Sequence, residues 1–181
     1  MVNEKIFTIP NLLTSIRIFL VPFFIIAMNS RDYSFALKLV IVAGITDCLD
    51  GIIARKFRQE SKLGSFLDPL ADKILLLSVI LTFYINELAP RWFIAIVFFR
   101  DFLVASGWLE VYLRKRKMMK PTILGKASNA SQVIIFGYIL LSINFSMATL
   151  SNLFYFIVSF VSLASLIQYV YIRFKNDKNR S

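Results

Sequence analysis

From Ala127 to Ile172 no residue is charged. That stretch is too long for one bilayer crossing and divides at a polar turn between Asn144 and Asn152. Four further apolar segments precede it, so the pattern predicts six spans: Pro10 to Met28, Tyr33 to Arg55, Leu67 to Ile85, Pro90 to Leu113, Ile123 to Ile143 and Ser151 to Phe174. Each approaches or exceeds the roughly 20 residues that a helix needs to cross the hydrocarbon core. The expected fold is an all-α membrane protein, six transmembrane helices in one bundle with a short N-terminal interfacial segment, and a single domain over residues 1–181.

The first four spans break the apolar rule. They carry Arg17; Asp47 and Asp50; Asp72 and Lys73; and Arg100 and Asp101. A charge at the centre of a spanning helix costs at least about 2.5–3.5 kcal/mol, so such groups face a cavity and mark function. Four charged spans predict one shared polar chamber. The alternative is that the acids pair with Arg17, Lys73 and Arg100 and merely hold the bundle together. Asp32, Glu60, Glu87, Glu110 and Asp177, at span ends or in loops, read as solvated surface, and Cys48 and the many Phe residues as packing or lipid contact.

Composition narrows the chemistry. The chain has 21 Lys+Arg against 11 Asp+Glu, a formal charge of +10, with 57% hydrophobic residues and a mean hydropathy of +0.68. It has no His and one Cys, which excludes a catalytic imidazole, a His-ligated zinc site and an internal disulfide. The basic residues cluster in Arg55 to Lys62, Arg114 to Lys120 and Arg173 to Arg180, whereas the other connections hold little beyond Arg31 and Arg91. By the positive-inside rule both termini are cytoplasmic. The positive charge is then topology and attraction to membrane lipids, not a nucleic-acid interface. The first span is not a cleavable signal, since five more follow and it lacks a small-residue cleavage site.

Across the second and third spans the chain reads D-x2-D-G-x2-A-R-x8-G-x3-D-x3-D, from Asp47 to Asp72. Asp47, Asp50, Gly51 and Ala54 recur on one helix face, and Gly64, Asp68 and Asp72 follow at steps of four on the next. Two antiparallel helices joined by a basic loop thus oppose four carboxylates in the cytoplasmic half of the membrane. Four like charges cannot stay ionised together in a low dielectric without cations, and all-oxygen ligation suits Mg²⁺ or Mn²⁺. Two such ions can clamp a phosphoryl group. Gly51 and Ala54 leave room for a ligand beside the backbone, and Arg55 is placed to meet phosphate oxygens.

These eight positions resemble the signature of the CDP-alcohol phosphatidyltransferases, and Thr8-Ile9-Pro10-Asn11 through Thr14 and Arg17 is similar to the amino-terminal segment of bacterial members. The resemblance implies transfer of a phosphatidyl group from CDP-diacylglycerol to an alcohol with release of CMP, in phospholipid biosynthesis, by a homodimer in the bacterial cytoplasmic membrane. It implies that Asp47, Asp50, Asp68 and Asp72 bind two divalent cations, that Asp72 also takes the acceptor's proton, and that Gly51, Ala54, Arg55 and Gly64 line the CDP site. Arg100 and Lys126 match the basic positions used for an anionic acceptor; Lys126 also reads as a snorkelling interfacial residue. Glycerol 3-phosphate is the expected acceptor, giving phosphatidylglycerophosphate. Phosphatidylglycerol, giving cardiolipin, is the alternative, because Trp108 stands where glycerophosphate users carry a further Arg and Lys120-Pro121-Thr122 resembles the cardiolipin branch. A non-catalytic ion-binding membrane protein is the distant alternative.

Overall fold

The computed structural model describes residues 9–57, 64–113 and 122–178. They form six α-helices: α1 (Ile9–Asn29), α2 (Tyr33–Phe57), α3 (Gly64–Ile85), α4 (Arg91–Leu113), α5 (Ile123–Phe145) and α6 (Asn152–Lys178). Each expected span lies on its own helix. The N-terminal segment before Ile9, the basic stretches 58–63 and 114–121 and the end of the tail lie outside the described residues.

Short polar junctions punctuate the helices. Asp32 Oδ1 accepts the backbone N–H of Phe35 at 2.9 Å, capping α2, so this acid does more than face solvent. Thr122 caps α5 by accepting from the Gly125 N–H at 3.0 Å. Ser146 ends that helix in the left-handed region, at φ 51°. Arg31 and Glu87 adopt the same region in the junctions after α1 and α3.

Four helices are long and apolar enough to cross a membrane: Asn11–Asn29, Arg91–Val111, Ile123–Phe145 and Asn152–Arg173. The other two also carry charges, Lys38, Asp47, Asp50, Arg55 and Lys56 on α2 and Asp68, Asp72 and Lys73 on α3. Burial is inverted relative to a water-soluble domain. Phe19, Phe99 and Phe160 point outward while Arg17, Arg100 and Asp101 are buried. A soluble protein does not expose large apolar side chains along its helices and bury its charges. The chain is an integral membrane protein.

The helices group into two compact units. In the first, α1 packs on both α2 and α3. Its buried stripe runs through Asn11, Thr14, Arg17, Val21, Phe24 and Met28, the steps of three and four that keep to one helix face. The stripe changes character midway, apolar toward the C-terminal end and polar toward the N-terminal end. Pro22 lies within this helix, where membrane helices tolerate it.

In the second unit α4 packs on α6. Phe93, fully buried, meets Tyr155 edge-on with centroids 5.1 Å apart and Phe136 at 6.0 Å. Further along, Gly107 admits the Tyr169 hydroxyl so closely that a Cβ there would sit 2.1 Å from it and 2.5 Å from Arg173 Nη1. Arg173 in turn donates to Glu110. Glu110 is therefore engaged in an interhelical ion pair.

Because lipid is as apolar as a protein core, a truncation inside a membrane bundle loses packing without losing much transfer energy. Phe93→Ala should therefore destabilise the protein by about 1–3 kcal/mol, less than the about 3–5 kcal/mol typical of a soluble core. The unfolding midpoint of the detergent-solubilised protein measures this.

Candidate active site

The polar half of the α1 stripe is where the first unit gathers its acids. Arg17, only 1% exposed, places Nη1 2.9 Å from Asp47 Oδ1 on α2 and 2.5 Å from Asp72 Oδ1 on α3. One turn earlier Thr14, also buried, donates its hydroxyl to Asp68 Oδ1. One helix thus serves three carboxylates drawn from two others. A permanently charged guanidinium cannot be buried alone, and the acids meeting it on α2 and α3 offset that cost.

The acids are not sealed in with it. Asp47 and Asp72 are 55% and 54% exposed, so Arg17 forms a floor beneath carboxylates that are open on the other side. The ion-pair alternative raised by the sequence is thus realised for Arg17, but in a form that leaves the acids accessible.

Asp50, Gly51, Ala54 and Arg55 lie on α2, and Gly64 opens α3; their side chains lie outside the described residues. Among the described residues no three acidic or Cys side chains come together closely enough to hold a metal ion. Asp47 and Asp72 converge on Arg17. The signature donors are nevertheless all carboxylate oxygens, and this set suits a hard divalent cation.

Arg100 behaves differently. It is 2% exposed, and its partner Asp101 is fully buried 2.5 Å away. Arg100 Nη1 also donates to Asn129 Oδ1 at 2.6 Å, and Nη2 to Ser165 Oγ at 2.9 Å and the Gly125 carbonyl at 3.4 Å. It ties α4 to α5 and α6. Beside it Ser128, Gln132 and Ser162 form a buried hydrogen-bonded cluster. Lys126, also on α5, is exposed. The carboxylate partner of Arg100 is the adjacent residue, Asp101.

The structure thus defines a helical membrane protein whose acids cluster on two adjacent helices. The sequence matches the CDP-alcohol phosphatidyltransferase family over residues 7–169, and the chain belongs to that family, an enzyme family of phosphatidyl transfer in phospholipid synthesis. It is 37% identical over 152 residues to a Drosophila melanogaster protein named a probable cardiolipin synthase (CMP-forming); the match covers 75% of this chain and 47% of the relative, so the chain spans about half that protein's length. It is 30% identical over 173 residues to a CDP-diacylglycerol–glycerol-3-phosphate 3-phosphatidyltransferase of Shigella flexneri serotype 5b, covering 91% of this chain and 93% of the relative. A Haemophilus influenzae protein of the same name is 30% identical over 178 residues, with 92% and 93% covered.

The sequence assigns no role to Thr14, and it places Asp101 among the chamber charges without a partner. Thr14 sits one turn before Arg17 in the amino-terminal pattern, and that spacing is the signal that could have found it. Removing one partner of a buried ion pair strands the other, which costs about 3–5 kcal/mol. Asp101→Asn should lower stability by that order, read as a loss of folded protein on heating in detergent, with the second unit opening first by hydrogen exchange.

Proposed function

We propose that the protein transfers the phosphatidyl group of CDP-diacylglycerol to the hydroxyl of glycerol 3-phosphate, releasing CMP and forming phosphatidylglycerophosphate. The observation that carries this reading is the gathering of Asp47, Asp68 and Asp72 around the side chains of α1, with Asp47 and Asp72 open on their other side. The complete eight-position signature supports it. So does the end-to-end match to proteins named for that reaction.

In this reading Asp47, Asp50, Asp68 and Asp72 hold two divalent cations, Mg²⁺ or Mn²⁺, which supply Lewis-acid stabilisation of the pyrophosphate and lower the pKa of the acceptor hydroxyl. Gly51, Ala54 and Gly64 leave space for the CDP moiety, and Arg55 binds its phosphate oxygens. The acceptor oxygen forms a bond to the phosphatidyl phosphorus as the bond to CMP breaks. Asp72 takes the hydroxyl proton. The absence of His suits a direct transfer without a covalent intermediate. Lys126, exposed, and Arg100 meet the acceptor's phosphate.

One set of observations favours phosphatidylglycerol as acceptor, giving cardiolipin. Arg100 is already matched by the buried Asp101, Trp108 occupies a position where a further cation would help an anionic substrate, and the 37% relative carries the cardiolipin synthase name. For the architecture, we read all six helices as spans of a single domain, α2 and α3 included, because charges that face a protein chamber do not prevent crossing. The basic stretches put both termini and the site on the cytoplasmic side of a bacterial membrane. The functional unit is a homodimer.

Purified protein given CDP-diacylglycerol, Mg²⁺ or Mn²⁺ and the two acceptors side by side should release CMP and accumulate phosphatidylglycerophosphate. Cardiolipin as the product would move the assignment to the second reading, and no CMP with either would sink both. Asp68→Ala should cost at least about a hundredfold in turnover, since a lost metal ligand removes several kcal/mol of transition-state stabilisation. Trp108→Arg should lower the apparent KM for glycerol 3-phosphate severalfold; an unchanged KM removes Trp108 from the acceptor pocket.

A further inference from the structure

Arg17 has no assigned part in the transfer itself, yet every described acid of the signature is tied either to it or to Thr14 one turn away. Resting on the function proposed above, we propose that Arg17 is the site's own counter-cation: it holds Asp47 and Asp72 converged in the metal-free protein, and it sets their affinity for a divalent ion by competing for their oxygens.

Three observations carry this. The guanidinium is 1% exposed, so it has no water to fall back on and needs anionic partners at all times. A single nitrogen, Nη1, contacts one oxygen of each acid, at 2.9 and 2.5 Å, which makes Arg17 the point where α2 and α3 meet through their acids. Both acids are more than half exposed, so a cation can approach them from the open side while Arg17 stays below. Arginine suits this place because it stays protonated at any working pH and serves two carboxylates at once. A fixed positive charge at contact distance opposes the binding of a second cation. The protein thereby keeps its acids assembled without metal, at the expense of some affinity for it. Arg17 is in this sense a positioning residue.

The test is Mn²⁺ binding to the full chain in lipid nanodiscs without substrate, followed by loss of the free-ion electron paramagnetic resonance signal. Arg17→Gln keeps a hydrogen-bonding amide and removes the charge, so its Kd for Mn²⁺ should fall about tenfold, the size expected for losing a modest part of a contact-distance repulsion. The Mn²⁺ concentration that half-activates CMP release should fall in parallel. Arg17→Lys keeps one charged nitrogen, and its Kd should stay near that of the wild type. A purely structural role predicts the opposite sign, because acids that splay apart bind the ion more weakly. A Kd for Arg17→Gln equal to or above that of the wild type overturns the proposal. If that variant does not fold, Arg17→Met, which also removes the charge, takes its place, and affinity no tighter than wild type overturns the proposal. Wild-type protein that binds no Mn²⁺ and releases no CMP removes the transferase reading and this inference with it. Wild type that binds and turns over beside an unimproved Arg17→Gln removes only the role of Arg17.

Discussion

A guanidinium placed in the interior of a membrane protein has to be answered by anions wherever the chain folds, because it cannot shed its proton and cannot reach water. In the first unit that demand falls on Arg17, and much of the local architecture follows from meeting it. α1 presents one face to both of its neighbours, and the polar end of that face lies opposite Asp47 and Asp72. α2 and α3 must then bring these two acids to one depth. The apolar end of the same face, Val21, Phe24 and Met28, can be closely packed only if the polar end is satisfied. Packing and charge pairing are therefore two ends of one helix stripe.

The second unit solves a similar problem with the opposite outcome. Arg100 is as deeply buried as Arg17, but its carboxylate partner is sealed with it, and an amide, a hydroxyl and a carbonyl receive its remaining hydrogen bonds. Ser128, Gln132 and Ser162 extend the polar cluster between α5 and α6. In lipid, where helices gain little from burying apolar area, such bonds help hold helices together. The exposure of the acids separates the two cases: a pair closed on all sides is a cross-link, whereas a pair open on one side can still accept a ligand. Arg100 therefore begins with its charge compensated, and any phosphate it meets competes with Asp101.

The helices were legible from the chain because apolar runs bounded by short polar junctions have few other ways to fold in a bilayer. The acids of the signature were legible from periodicity: steps of three and four put Asp68 and Asp72 on one face of α3, and both are held by α1. The partners were harder to read. Thr14 and Arg17 lie 54 and 55 residues from Asp68 and Asp72, and no local pattern reports a contact at that separation. Arg100 shows the converse. A basic residue in mid-span invites a distant acid, and its carboxylate partner is the next residue in the chain. The spans of α2 and α3 were read as apolar segments interrupted by charges, and among the described residues length and composition single out the other four helices.

Charge balance links the signature to α1. Asp47 and Asp72 meet the Arg17 guanidinium, and Asp68 accepts from the Thr14 hydroxyl. Arg17 carries one positive charge against the two carboxylates that it contacts. A surplus of carboxylates at a half-open site is the electrostatic condition for taking up a divalent cation. With no His in the chain, no imidazole can relieve that surplus near neutral pH. On the proposed role, Arg17 moderates the repulsion enough for α2 and α3 both to pack on α1 without cancelling it. A stronger internal counter-charge would leave the acids with no reason to bind metal; a weaker one would leave the helices without a stable metal-free arrangement.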